Sequence, residues 1–438
     1  MYVADSRASA PASADGAVRP IAGRRRAAVA PTVLALGTVS LVTDVSSEMV
    51  TAVLPLYLVA GLGLSPLGFG LLDGIYNGFS ALVRLAGGHL ADRGGGRHKW
   101  VAGVGYGISA LCKPLLLMAH SLTPIGLILA ADRTGKGLRT APRDALISLS
   151  STPETRGRAF GVHRAMDTAG ALLGPLAAFL ILRAAVDGYD AVFTVSFCVA
   201  VLGVLVLVLF VPGGRDRKPP TDTAPPTASP TAPPTARPTV RAALALLRRR
   251  DLRRITVCAL LLGLATVSDS FVYLLLQRRL GVPDGWFALL PLGTAAAFLL
   301  LAVPLGRLAD RVGRWRVFLA GHGSLLLAYV LLLTSWHGTA LPYAVLALHG
   351  GFYAATDGVL MATASDGVPE ELRSSGLAVV QTGQALARFV CSLLFGAAWT
   401  LWGDRTALAV ATVALAACAA FSCTLRPTSL RPTREYAS

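Results

Sequence analysis

From Pro31 to Leu425 the chain is a succession of apolar runs, each near 20 residues, parted by short polar breaks rich in arginine. About 20 apolar residues wound as a helix cross the ~30 Å hydrocarbon core of a bilayer. Inside that core only helices and closed barrels satisfy their own backbone groups. Composition supports the same reading, with 54% of residues hydrophobic, 15% charged and a mean hydropathy of +0.60. A soluble domain carries about 25% charged residues, and so few charges cannot coat a soluble body of 438 residues. The sequence therefore predicts an all-α polytopic membrane protein.

Twelve spans fit. The first six run over 32–60, 66–90, 100–119, 122–147, 159–184 and 190–212. The second six run over 255–277, 284–308, 315–335, 339–364, 375–401 and 404–425. Residues 1–30 and 426–438 read as tails, and residues 1–30 lack the short apolar core of a signal peptide. Residues 213–254 hold a Pro/Thr-rich stretch too poor in apolar residues to build a core, followed by "VRAALALLRRRDLRR". That basic segment reads as a helix on anionic lipid or as a solvated juxtamembrane run.

The formal charge is +16, and its placement excludes nucleic acid as a partner: the arginines sit between apolar runs, with no basic face interleaved with aromatics. Arg24 to Arg26, Arg93, Arg97, Arg156, Arg311, Arg314, Arg373 and Arg426 fall on one side, which places both termini in the cytoplasm of a cell-membrane protein. The six cysteines form no CxxC pair and stand near no histidine set, so neither a metal nor a cofactor is expected.

The most informative feature is a duplication. "GHLADRGGGRHK" begins at Gly88 and "GRLADRVGRWR" at Gly306, 218 residues later, each between the second and third span of its half. "TPETRGRAFG" around Pro153 and "VPEELRSSGLA" around Pro369 repeat at nearly the same offset. Two parallel six-span units are a known transporter plan.

On these residues the chain resembles the major facilitator superfamily, whose loop signature reads G-x-L-A-D-R-x-G-R-[RK]. Gly306, Leu308, Ala309, Asp310, Arg311, Gly313 and Arg314 match it, as do Gly88, Leu90, Ala91, Asp92, Arg93 and Gly95. In the first copy Gly96 takes an arginine position and Arg97 follows. The resemblance implies the major facilitator fold and a latch role for both loops; the plain reading is a charged turn. Glycine permits the tight connection, and Asp92 is placed to accept from N–H groups at a nearby helix start.

The fourth span is unusual. In "RTGKGLRTAPRD" Arg133, Lys136, Arg139 and Arg143 lie between greasy flanks. A phosphate-binding loop is excluded, because Ala130 and Gly137 stand where its glycine and hydroxyl residue belong. On a helix, Asp132, these four cations and Asp144 fall within an arc of roughly 140°. Intramembrane charges face a wet cavity or one another. Arg133, Gly137 and Ala141 fit the family's fourth-span R-x-x-x-G-x-x-x-A core; Lys136 and Arg139 depart from it. Counted from the span ends, Arg133 lies roughly 16 Å deep and Asp44 of "LVTDVSSEMV" roughly 18 Å deep from the other side. Both reach the midplane, so Arg133 is expected to pair with Asp44, with Glu48 one turn on along the same face. A carboxylate beside a cation can exchange a proton as a cavity opens and closes; a static ion pair is the simpler alternative.

Lys136, Arg139, Asp269 and Asp357 are further candidates for the substrate cavity; Asp73, Arg84, Arg164, Asp167 and Arg388 read equally well as structural charges. Gly170, Gly174 and Pro175 resemble the g-x-x-x-G-P motif of the superfamily's antiporters, and also fit ordinary close helix packing. The expectation is a secondary transporter that exports a small organic molecule against protons, with membrane lipid as its surroundings. Uptake of an anionic metabolite is the second expectation. A membrane enzyme or receptor is a third class, for which no catalytic constellation is visible.

Overall fold

The computed structural model describes residues 30–93, 98–152, 155–185, 188–212, 248, 250–336, 338–366 and 373–425. The first half holds α1 (Pro31–Leu56), α2 (Pro66–Arg93), α3 (His98–Met118), α4 (Leu122–Leu149), α5 (Arg156–Ala184) and α6 (Gly188–Phe210). The second holds α7 (Arg250–Ala265), α8 (Asp269–Leu280), the short α9 (Asp284–Phe287), α10 (Leu290–Val312), α11 (Arg314–Leu333), α12 (Leu341–Asp366), α13 (Arg373–Trp402) and α14 (Asp404–Thr424). A π-helical turn, Tyr57–Gly61, prolongs α1. Among the described residues, ten stretches are long and apolar enough to cross a membrane. The charge-bearing α2 and α4, 28 residues each, bring the number to the expected twelve, with α7 and α8 forming one span. Much of the expected 213–254 segment lies outside the described residues, as do both tails; its last residues, from Arg250, already belong to α7.

The apolar residues are sorted for lipid. Leu209, Leu300, Leu401 and Val413 stand exposed on outer faces, whereas Ser40, Thr43, Ser46, Asp73, Arg133 and Arg139 are buried. This inverts the soluble pattern, since polar groups cannot be solvated by hydrocarbon.

Within the first half α1 packs on α5 and α6, and α3 on α4; within the second, α12 packs on α10 and α11. The halves meet chiefly along α2 and α13. There Gly70 and Gly396 face each other so closely that a Cβ on either would run into the other helix's backbone. Three further inter-half contacts lie toward the end remote from the ADR turns. The Leu67 amide donates to Thr400 Oγ1 at 3.0 Å. Phe69 meets Phe271 edge-on at 4.9 Å. Phe179 packs on Trp286 at 5.2 Å.

The seventh span is broken, where the sequence reads as one continuous helix. Thr266, Val267 and Ser268 leave the helical path between α7 and α8. The freed backbone groups find partners: the Val267 amide donates to Tyr329 Oη at 2.8 Å, and Cys391 Sγ donates to the Thr266 carbonyl at 3.1 Å. A span can break at depth only where neighbours supply such partners. The break makes Asp269 the first residue of α8, where the helix dipole favours a carboxylate.

Candidate functional site

A cavity of about 410 Å³ opens between the halves. Its wall takes Glu48 and Thr51 from α1, Tyr76 and Asn77 from α2, Asp269 and Tyr273 from α8, Thr294 and Phe298 from α10, Tyr353 and Asp357 from α12, and Arg388 from α13. Such a volume, with apolar walls and a few convergent polar groups, is in the range of small-molecule sites.

From Glu48 a ladder of opposite charges leads along α1 toward the ADR end. Lys136 Nζ lies 3.8 Å from Glu48 Oε1. One turn further Arg139 Nη2 lies 3.3 Å from Asp44 Oδ1. A turn beyond that, Ser40 Oγ donates to Asp167 Oδ1 at 2.8 Å, and Arg143 stands 3.7 Å from the same carboxylate and 3.1 Å from Asp144. Positions 48, 44 and 40 share one face of α1 because four residues nearly complete a turn. The cations of α4 are thus matched by carboxylates of α1, α4 and α5.

This arrangement corrects the expected pairing. Arg133 does not meet Asp44. Its guanidinium bonds Asp132 of its own helix at 2.6 Å and stacks on the Tyr76 ring at 3.8 Å. Asp132 is also bonded by Ser109 of α3. The reason is angular: Arg133 and Arg139 are the outermost cations of the charged arc, roughly 120° apart. Arg133 therefore faces α2, while Arg139 lies between Tyr106, at 4.5 Å, and Asp44. Lys136 and Arg139, expected on the cavity wall, are not among its lining residues.

Asp269 and Asp357 do line the cavity. Asp269 is held by His349 Nε2 at 3.0 Å and by Tyr353 Oη at 2.5 Å. The sequence reading overlooked both partners, and also Lys113, buried on α3 with its ammonium donating to the Ser109 carbonyl at 2.9 Å. Polar residues inside an apolar run, as His349 and Tyr353 are as the ninth and thirteenth residues of α12, were the available signal. Asp73 is buried and accepts from Ser392 Oγ of α13 at 2.6 Å, a polar tie between the halves.

Gly170 and Gly174 press α5 onto α1. A Cβ at the first would collide with the Leu41 carbonyl, and at the second it would lie 2.8 Å from the Val45 carbonyl. Pro175 follows inside the same helix. In the second ADR copy Gly313 adopts φ +102°, which requires glycine. Gly306 has open space around it. Asp310 pairs with Arg314 at 3.6 Å, one turn along, and Arg311 stands in the last turn of α10. In the first copy Gly88, Asp92 and Arg93 close α2, and Arg97 lies outside the described residues.

Several of the known proteins that this chain resembles are transporters. The family model of the Major Facilitator Superfamily matches residues 36–392. An uncharacterized MFS-type transporter of Methanocaldococcus jannaschii is 28% identical over 383 residues, which is 85% of this chain and 89% of that one. An uncharacterized protein of Mycobacterium tuberculosis is 35% identical over 144 residues, 33% of this chain and 35% of that one. Among solved structures, the nucleoside transporter NupG shares the fold with a TM-score of 0.75 at 12% identity, over 90% of this chain and 98% of its own. A bacterial homologue of the human lysosomal transporter Spinster, inward-facing and unoccupied, gives 0.70 at 15% identity, over 92% and 98%. With twelve spans among the described residues, in two halves around a shared cavity, and a family match over most of its length, the chain belongs to the major facilitator superfamily and is a multi-pass membrane transporter, not an enzyme.

Proposed function

We propose that this protein is a proton-coupled exporter of a small organic molecule in the cell membrane, with both termini in the cytoplasm. The two six-helix units rock around the cavity, opening it first to one side and then to the other. Glu48 and Asp44 carry the proton. Arg139 and Lys136 set how firmly it is held, because a cation within reach favours the charged carboxylate. Arg133 holds α2 and α4 together and acts on Glu48 only at a distance. The ADR turns latch the cytoplasmic end, and the fifth-span glycines allow α5 to bear closely on the proton-carrying α1.

The observation that carries this reading is the ladder itself. Its first carboxylate, Glu48, stands on the cavity wall, and its next, Asp44, lies one turn away behind it. Occupancy of the cavity and protonation of α1 are therefore neighbours in space. Uptake of an anion loses its main support, because the fourth-span cations are engaged by carboxylates. The test is a substrate screen on inside-out vesicles with an imposed pH gradient. Export coupled to protons gives substrate-dependent proton release from the vesicle lumen. Substrate flux with no proton movement removes the coupling.

A further inference from the structure

The cavity wall has a charge pattern of its own, opposite to that of the chain. Among the described residues, three carboxylates, Glu48, Asp269 and Asp357, line it against one guanidinium, Arg388. Asp269 is oriented by His349 and Tyr353, two donors that hold a carboxylate in place without needing to carry a permanent charge. Asp357 is exposed to the cavity. Among the described residues Glu48 has one long ion pair, Lys136 at 3.8 Å, and Lys136 is not among the lining residues. Arg388 shares the wall with Asp269, Asp357 and Glu48, so it is outnumbered by carboxylates there. In a poorly solvated site this imbalance favours a positive guest, since charges inside the membrane must be matched by opposite charges.

The apolar part of the wall fits the same guest. Tyr273, Tyr353 and Phe298 line the cavity together with the carboxylates. Aromatic faces beside carboxylates attract ammonium groups through the ring quadrupole while excluding water. Tyr76 also lines the cavity, but one face of its ring is already covered by Arg133.

Building on the transport reading above, we propose that the substrate is a small organic cation, a protonated amine or quaternary ammonium. Its positive centre lies between Asp269 and Asp357, and its apolar body rests against Tyr273, Tyr353 and Phe298. Arg388 keeps the two acids apart in the empty cavity and hydrogen-bonds a polar substituent of the guest. Cation and proton then meet the same acidic wall, where Glu48 responds to both.

The test is direct binding to the full-length protein in lipid nanodiscs, which requires no transport. Three probes share one skeleton: benzyltrimethylammonium, benzyl alcohol and benzoate. Calorimetric titration should show saturable binding of benzyltrimethylammonium, with the alcohol and benzoate weaker. Asp269→Asn and Asp357→Asn should each weaken the cation by about tenfold or more, the cost of removing a charged partner. Asp404→Asn, at the start of α14 and away from the cavity, should leave it unchanged. Preference for benzoate, binding of none of the three, or cation binding indifferent to both cavity substitutions overturns the proposal. The ranking of probes on the unaltered protein decides even if a variant fails to fold. Should cations bind while the vesicle assay shows no proton movement, the coupling fails and the cation site stands.

Discussion

The pairing of Asp44 with Arg139, rather than with Arg133, can be measured as a coupling energy. At 3.3 Å two unit charges attract by about 5 kcal/mol at an effective dielectric near 20. Both side chains are largely buried, 4% and 13% exposed, so bulk water screens them little. Removing either alone strands the other, which costs ~3–5 kcal/mol, whereas removing both leaves no uncompensated charge. The perturbations are Arg139→Gln, Asp44→Asn and the double change, beside a parallel cycle with Arg133→Gln. The stack of Arg139 on Tyr106 survives Asp44→Asn, so the cycle isolates the ion pair. SDS-induced unfolding in mixed micelles, followed by far-UV circular dichroism, should give a coupling of about 2–4 kcal/mol for Asp44 with Arg139. For Asp44 with Arg133 it should be within ~0.5 kcal/mol of zero, since Arg133 is engaged by Asp132 and Tyr76. Equal coupling in the two cycles, or a larger one with Arg133, refutes the assignment and makes the stripe a diffuse positive field.

Helix contacts give further expectations. Gly174→Val should destabilise the protein by ~1–3 kcal/mol in the same assay, because its branches would enter the α1 backbone at Val45. Gly313→Ala, at φ +102°, should cost ~1–2 kcal/mol, whereas Gly306→Ala, with open space around it, should be neutral or mildly stabilising. Reporter fusions at Ser438 and within residues 220–236 should both read cytoplasmic; an external reading at either breaks the arrangement of two parallel halves.

The fold was legible because a bilayer leaves few choices. Run length announced the spans, and the ADR duplication announced the halves. The contacts inside the fold were less legible, each for a definite reason. Counting residues from span ends gives depth but not azimuth, so it could not tell Arg133 from Arg139, the outermost cations of the arc. The break at Thr266–Ser268 was hidden because the residues that satisfy it, Tyr329 and Cys391, come from other spans. Cys391 reads as simple packing until the Thr266 carbonyl is seen beside it. His349 was invisible as a partner of Asp269 for a similar reason, being 80 residues away in sequence. Glu48 and Asp44 were found correctly as neighbours on one face, because a spacing of four residues within one helix needs no tertiary knowledge.

In the proposed cycle Asp44 couples the proton to transport. This coupling is tested most directly by comparing two activities of Asp44→Asn in proteoliposomes, once a transported substrate is in hand. One is substrate-for-substrate exchange with no pH gradient; the other is uphill accumulation driven by an imposed gradient. Exchange should persist, since the cavity and the rocking halves are intact, while driven accumulation should disappear because the proton path from Glu48 is cut at Asp44. Accumulation that survives in Asp44→Asn, or exchange and accumulation lost to the same degree, would contradict this coupling.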